Sequence, residues 1–368
     1  MTGGSLAGRR VLMMAGGTGG HVIPGLSVAK ALQAQGAVVT WLGTRAGIES
    51  RLVPDAGIEI DWLSIGGLRG KRLTTRLAAP WRLLAACGQA WGVLRRRQPE
   101  LVIGMGGFAA GPGGLVAKLT GRKLLLHEQN AIAGLTNRLL ARFADRVMEA
   151  FPDALPRVPR RRRVHTGNPV RSDMQQPLPL RRRAADAPLR VLVIGGSRGA
   201  LALNEGVPEA IARLPQPQSV AVRHQCGEDR LAATRACYRR VGLPQARIEP
   251  FIDDMRSAYG WCDVAICRAG ALTVAELACV GRAAVLVPFP YAVDDHQTWN
   301  ARYLVDHQAA ALVPQGERFA ARLAAVLTDV WHDPERACAM ARRARRLALP
   351  AALDQVVSEC AGLLGATP

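Results

Sequence analysis

Two short apolar runs in this chain each end in a cluster of glycines. Residues 11–15 enter Gly16-Gly17-Thr18-Gly19-Gly20, with His21 directly after, and residues 191–194 enter Gly195-Gly196-Ser197-Arg198-Gly199-Ala200. A glycine turn lets the backbone approach a ligand with no Cβ in the way. The helix start that follows offers free N–H groups and a positive dipole end to an anion. A diphosphate is the natural occupant, although many α/β proteins turn on glycines for packing alone. Two common nucleotide signatures are absent. No G-x-x-x-x-G-K-[ST] occurs, and neither loop reads G-x-G-x-x-G with an acidic residue about twenty positions on. By elimination, phosphate binding here points to nucleotide sugars.

The elements that must hold these loops follow one plan used twice. After the first loop, Val22, Leu26, Ala29 and Leu32 recur at helical spacing, and Pro24 is expected in the first turn, where its missing N–H does no harm. After the second loop, Leu203 and Val207 continue a similar helix. Strand, glycine turn, helix is the opening of a doubly wound α/β domain. Between the halves lies a Pro- and Arg-rich stretch, from Pro152 through residues 160–163 and Pro169 to Pro188. Proline disfavours helix at the residue before it and lacks an N–H for central strands, so an interdomain linker is expected near 168–188. Strand and helix alternate again over residues 263–267, after Gly270, and over 284–288. Residues 342–346 and 353–364 close the chain as helices. The expected domains are 1–168 and 169–345, with 346–368 a terminal helix returning toward the first.

Bulk properties are consistent with two domains. The chain has 368 residues, enough for about two domains and a large core without disulfides or metals. Its formal charge is 48 − 29 = +19. Such a field attracts nucleotide phosphates, acidic lipid headgroups or nucleic acid, but an arginine-rich solvated surface accounts for it equally well. The eight cysteines form no C-x-x-C and no zinc-ligand spacing, which leads us to expect a reducing cytoplasm and no structural metal. No signal peptide is expected at the N-terminus. The longest uncharged stretch, residues 101–117, holds too much glycine to span a membrane. Any membrane contact is expected to be peripheral.

A family resemblance rests on more than the two loops. Gly16-Gly17-Thr18-Gly19-Gly20-His21 is followed by Gly106-Gly107-Phe108-Ala109-Ala110-Gly111-Pro112-Gly113-Gly114, by His127-Glu128-Gln129-Asn130 and by Gly167-Asn168-Pro169-Val170-Arg171. Later come the second-domain glycine loop, Phe251-Ile252-Asp253-Asp254-Met255, Gly270-Ala271-Leu272-Thr273-Val274-Ala275-Glu276 and Asp294-Asp295-His296-Gln297. In order and spacing, over roughly residues 10–310, this series resembles the MurG family of glycosyltransferases.

The resemblance implies a GT-B fold, two Rossmann-like domains facing each other across a cleft. It implies UDP-N-acetylglucosamine as donor, held mainly by the C-terminal domain. It implies undecaprenyl-diphosphoryl-N-acetylmuramyl-pentapeptide as acceptor, held mainly by the N-terminal one. The α-linked donor would be inverted to a β-1,4 bond, with no metal and no cofactor. Single displacement needs a base for the acceptor hydroxyl. A neutral imidazole suits that role, which makes His21 a candidate, or else it is a helix-start histidine that braces a loop. Glu128 is the competing base, or an ion-pairing or loop-bracing acid. Ser197 and its loop amides would take the diphosphate, with Arg171 adding charge. Glu276 would bind the ribose hydroxyls, its plainer role being a helix-start acid favoured by the dipole. The resemblance assigns Ile252 to the uracil edge and Gln297 and Asn130 to sugar hydroxyls. Residues Ala271, Leu272, Thr273, Val274 and Ala275 complete the donor segment. Thr18, Gly19 and Gly20 would meet donor sugar and acceptor diphosphate together. Two departures stand out: Arg198 replaces a glutamine common in the family, and Phe108 a frequent tyrosine.

A lipid acceptor also implies a membrane face. Leu73, Leu77, Trp81 and Leu84 recur at three- and four-residue spacing among Lys71, Arg72, Arg76 and Arg82. Such a stripe fits an anionic headgroup layer, or the core-facing edge of a helix. The implied location is the cytoplasmic face of the inner membrane, where other wall-synthesis proteins are possible partners and nucleic acid is not. One rival is a GT-B UDP-N-acetylglucosamine 2-epimerase, which shares the donor site but needs acid/base carboxylates at C2. The other is a non-catalytic basic protein binding membrane or nucleic acid, which explains the charge but not the ordered motifs.

Overall fold

A computed structural model of the chain describes residues 6–66, 79–184, 186–196 and 199–366. The chain divides into two compact units, Met1–Arg171 with Ala351–Pro368, and Ser172–Pro350.

In the first unit the strands are β1 (Arg10–Ala15), β2 (Val38–Gly43), β3 (Ile60–Trp62), β4 (Leu101–Gly106), β5 (Lys123–Glu128), β6 (Arg146–Glu149) and β7 (Arg163–His165). They form one sheet in the order β3-β2-β1-β4-β5-β6-β7, every pairing parallel. Helices α1 (Gly19–Ala34), α2 (Glu49–Asp55), α3 (Ala79–Arg97), α4 (Ala110–Leu119) and α5 (Leu135–Leu140) make the crossovers. A parallel sheet is covered on both faces, so its strands read as near-continuous apolar runs; β1 is buried at five of its six positions.

The second unit repeats the plan. Strands β8 (Leu189–Ile194), β9 (Val220–Gln225), β10 (Arg247–Glu249), β11 (Val264–Cys267), β12 (Ala283–Leu286) and β13 (Ala311–Leu312) lie in the order β10-β9-β8-β11-β12-β13, again parallel. Its helices are α6 (Leu201–Ala212), α7 (Leu231–Arg240), α8 (Met255–Trp261), α9 (Ala271–Val280), α10 (His296–Val305), α11 (Phe319–His332) and α12 (Pro334–Arg346). Both sheets therefore contain the 3-2-1-4-5-6 order of a Rossmann-type domain. Such a sheet binds ligands beyond the carboxyl ends of its strands, where the winding reverses. That point falls between β1 and β4 in one unit and between β8 and β11 in the other.

Helix α13 (Ala352–Leu363) packs on α1. Its Val356, Val357 and Cys360 share a core with Val22, Val28 and Leu32, and each fully buried valine contributes about 1.5–3 kcal/mol.

One local feature differs from expectation. Helix α1 begins at Gly19, so Pro24 lies in the second turn rather than the first; its ring forgoes the bond to the Gly20 carbonyl. The boundary between the units, Arg171/Ser172, falls within the stretch expected as a linker, which packs on the second unit from there on. Leu178 N–H donates to the Val280 carbonyl at 3.0 Å, and Arg181 pairs with Asp263 at 3.1 Å. The buried Arg183 donates to the Ala187 carbonyl and lies over the Trp331 ring.

Candidate functional site

In the first unit, the glycine loop leaves β1 next to β4, where Ala15 pairs with Gly106. The Trp41 indole N–H donates to the Ala15 carbonyl at 2.9 Å and anchors the strand end. Thr18 is the N-cap of α1 in extended conformation, and its carbonyl accepts from the His21 and Val22 amides. The amides of Gly19 and Gly20 lie in the first turn, where a helix has no internal acceptor for them. They are donors available to an anion.

Behind this loop sits a residue that motif reading passed over. Glu49, the first residue of α2, is fully buried. One carboxylate oxygen accepts from Gly17 N–H at 2.9 Å, and the other from Thr44 N–H at 3.0 Å and the Thr44 hydroxyl at 2.7 Å. A Cβ on Gly16 would stand 2.5 Å from that carboxylate. The glycines here make room for a brace as well as for a ligand.

His21 is half-buried, and its Nδ1 lies 2.8 Å from Oε1 of Gln129. Gln129 Nε2 lies 3.1 Å from His127 Nδ1 and 3.2 Å from the His127 carbonyl. His127 Nε2 is 2.9 Å from the Gly167 carbonyl. Desolvation lowers the His127 pKa to about 4, opposed by the Gly167 hydrogen bond and aided by repulsion from His21, so its ring is neutral at physiological pH. Gly106 and Gly107, both at positive φ, close over the loop. A Cβ on Gly106 would stand 2.9 Å from the His21 ring, and one on Gly107 would overlap the Gly16 carbonyl. Gln129, His127 and Gly106 were visible as motif members, but their spacing did not reveal that they converge on His21.

The second predicted base is placed differently. Glu128 is buried at the end of β5. Its Oε1 accepts from Asn130 N–H at 3.0 Å and from the Asn130 amide at 3.4 Å; its Oε2 accepts from Gly134 N–H at 3.1 Å and the Asn137 amide at 2.9 Å. It ties together the loop that carries Asn130. Arg171 is half-buried at the end of this unit.

In the second unit Ile194 pairs with Cys267, so the glycine loop after β8 and the start of α9 are neighbours at the carboxyl ends of adjacent strands. Gly196 takes a positive φ, and its carbonyl accepts from the Gly199 amide at 2.9 Å. A Cβ on Gly199 would overlap the Cys226 carbonyl. That carbonyl accepts from Asn204, which receives a bond from His224, which in turn meets the Tyr238 hydroxyl. Burial pushes His224 down to about 3. Ser197 and Arg198 lie outside the described residues.

Along α9, Ala271, Val274 and Glu276 are buried, while Leu272, Thr273 and Ala275 are half-buried. Ile252 follows β10 with its side chain buried, which leaves its backbone as the part a ligand could touch. Gln297 Oε1 accepts from Phe289 N–H at 2.9 Å and holds the loop after β12. That loop carries Asp294 and Asp295, both at positive φ, a strained conformation for non-glycine residues. Among the described residues no group of three His, Cys, Asp or Glu could hold a metal ion.

On α3, Trp81 is 75% and Leu84 62% exposed; Leu73 and Leu77 lie outside the described residues. Helix α3 packs on α4 and α4 on α5, and those two helices expose Leu119, Leu135 and Leu139. No helix among the described residues is long and apolar enough to cross a membrane.

Comparison with known proteins matches both units. Residues 11–149 fit the glycosyltransferase family 28 N-terminal domain and residues 190–356 the glycosyltransferase family 28 C-terminal domain. A protein of Alkalilimnicola ehrlichii is 55% identical over 352 residues, covering 95% of this chain and 98% of that protein. It is named UDP-N-acetylglucosamine–N-acetylmuramyl-(pentapeptide) pyrophosphoryl-undecaprenol N-acetylglucosamine transferase. Among solved structures, Acinetobacter baumannii MurG is 42% identical with a TM-score of 0.82, covering 95% of this chain and 99% of that one. A putative UDP-N-acetylglucosamine 2-epimerase from Listeria monocytogenes reaches a TM-score of 0.69 at 13% identity, over 98% of each chain, a likeness of fold alone. The two Rossmann-like units are those of the GT-B fold.

Proposed function

The chain belongs to the MurG family within glycosyltransferase family 28, and on that premise we propose its reaction and the residues that perform it. It transfers N-acetylglucosamine from UDP-N-acetylglucosamine to undecaprenyl-diphosphoryl-N-acetylmuramyl-pentapeptide, forming lipid II for peptidoglycan synthesis. The first unit mainly holds the acceptor and the second mainly the donor.

The observation that carries the chemistry is the His21 imidazole beside the first-turn amides of α1, with Nδ1 engaged by Gln129 and no hydrogen bond at Nε2 among the described residues. Nε2 takes the proton of the acceptor hydroxyl as its oxygen attacks C1 of the donor sugar from the face opposite UDP. The C1–O bond to the diphosphate breaks, and UDP carries away the electron pair. His21 is favoured over Glu128 as the base because both oxygens of Glu128 already accept loop donors, whose loss on reorientation would open that loop.

Thr18, Gly19 and Gly20 meet the acceptor diphosphate. The helix start at α6, with Ser197, stabilises the charge developing on UDP, and Arg171 adds to it. Glu276 holds the ribose, the Ile252 backbone the uracil edge, residues 271–275 the flanking donor surface, and Asn130 and Gln297 sugar hydroxyls. The enzyme works at the cytoplasmic face of the inner membrane, docked through residues 73–84. The exposure of Trp81 and Leu84 supports this, because an apolar helix edge beside arginines matches an anionic interface.

The test is transfer of labelled N-acetylglucosamine from UDP to a short-chain lipid-linked muramyl-pentapeptide in EDTA. Transfer is expected, with His21→Ala reducing kcat by roughly 10²–10⁴, the contribution of a positioned base, while UDP binding persists. Release of free hexosamine without acceptor consumption would favour epimerase-type chemistry instead.

A further inference from the structure

The hydrogen bonds around His21 leave little freedom in where its proton sits. The Gly167 carbonyl can only accept, so His127 must present N–H at Nε2. His127 is fully buried, and with Nε2 protonated its neutral ring carries a lone pair at Nδ1. The Gln129 NH₂ group must then face that lone pair, and it also donates to the His127 carbonyl. Turning the amide over would set its oxygen against two acceptors at once. Gln129 Oε1 is therefore directed at His21, whose Nδ1 must be the N–H that donates to it. The chain of donors starts at one backbone carbonyl and ends by selecting a tautomer.

We propose that Gln129, held by His127 and the Gly167 carbonyl, is a positioning residue that locks His21 as the Nδ1–H tautomer, so that Nε2 is its only proton-accepting atom. This rests on the reading of His21 as the base. In water the Nε2–H form of imidazole predominates, so without Gln129 the wrong nitrogen would face the acceptor hydroxyl for most of the time. The arrangement serves both protonation states. When Nε2 gains the acceptor proton, Nδ1–H keeps the same bond to Gln129, and no ring rotation is needed. Gln129 touches no substrate in this scheme; it acts through His21, as His127 acts through Gln129.

The decisive measurement is imidazole ¹⁵N–¹H correlation NMR on the full chain labelled at histidine, at alkaline pH where the imidazoles are neutral, with the His21 signals assigned through His21→Gln. Wild type should show protonated Nδ1 and unprotonated Nε2 at His21, and the reverse at His127. Gln129→Met should shift His21 to the Nε2–H form and lower kcat at least tenfold, with the KM for UDP-N-acetylglucosamine little changed. Gln129→Glu keeps an acceptor for Nδ1–H, and should retain the His21 tautomer and exceed Gln129→Met in kcat. An Nε2–H His21 in wild type, or an unchanged tautomer in Gln129→Met, overturns the proposal. A tautomer switch with kcat unaltered supports the lock and overturns the base assignment instead.

Discussion

Replacing Glu49 by Gln tests whether the first glycine loop is held in place from behind. The carboxylate accepts three hydrogen bonds, one from Gly17 N–H and two from Thr44. A hydrogen bond to a charged group is worth about 1.5–3 kcal/mol. The glutamine oxygen can keep both Thr44 donors, but its NH₂ then meets Gly17 N–H donor to donor. The opposite rotamer keeps Gly17 and sacrifices Thr44. Either way at least one charge-assisted bond is lost, and relief of the buried charge returns part of it, so the first unit should lose about 2 kcal/mol. The larger consequence is positional. Gly17 is one residue from Thr18, and a shift of about 1 Å in a reacting constellation costs roughly 10²-fold. Glu49→Gln should therefore lower kcat/KM for the lipid-linked acceptor by one to two orders of magnitude, with UDP affinity unchanged if, as proposed, UDP is held mainly by the other unit. Initial rates at varied acceptor, with calorimetric UDP titration, read both quantities. A lower acceptor KM would refute the reasoning, since it would mean that repulsion between the carboxylate and the acceptor diphosphate outweighs its bracing bonds.

Gly106→Ala should cost about 1–3 kcal/mol in backbone strain at its φ of 103° and push on the His21 ring 2.9 Å away; transfer rates should fall at least tenfold (about 1.4 kcal/mol) while calorimetry finds UDP binding intact. His224 is neutral in the native state down to about pH 3, whereas the unfolded chain binds that proton below about 6.5. Stability of the second unit should thus fall with pH, by about 2 kcal/mol between pH 7 and 5, read as loss of hydrogen-exchange protection in β8 and β9. His224→Phe should be less stable at pH 7 but should lack this part of the slope; an unchanged slope would assign it elsewhere. Trp81→Ser combined with Leu84→Ser should weaken binding to anionic vesicles at least tenfold, since full burial of each side chain is worth about 1.5–3 kcal/mol. Turnover of a short-chain soluble acceptor should hardly change, and undiminished vesicle binding would rule out this face.

The repeated strand, glycine turn and helix could be read from sequence because each part is dictated locally. Parallel strands need apolar runs, the turn needs residues without Cβ, and the helix needs its 3.6-residue stripe; the order of both sheets follows from that plan. What escaped is set by acceptors with no local pattern. Glu49 is 32 residues from the amide it holds, and its plain sequence role is a helix-start acid. His21 and Gln129 are 108 residues apart, and the tautomer they share depends on the carbonyl of Gly167, a group every residue possesses. The Pro- and Arg-rich stretch shows the same limit. Arginines and prolines in a row suggest solvent, yet Arg183 is buried because the backbone carbonyls of Ala184, Ala187 and Trp331 and the Trp331 ring lie within its reach. Charge runs and glycine clusters say which groups need partners; only the fold decides which carbonyls and rings are close enough to provide them. For that reason the most informative substitutions here are Glu49 and Gln129, buried side chains that touch no ligand in this reading and yet determine where the residues that do touch it stand.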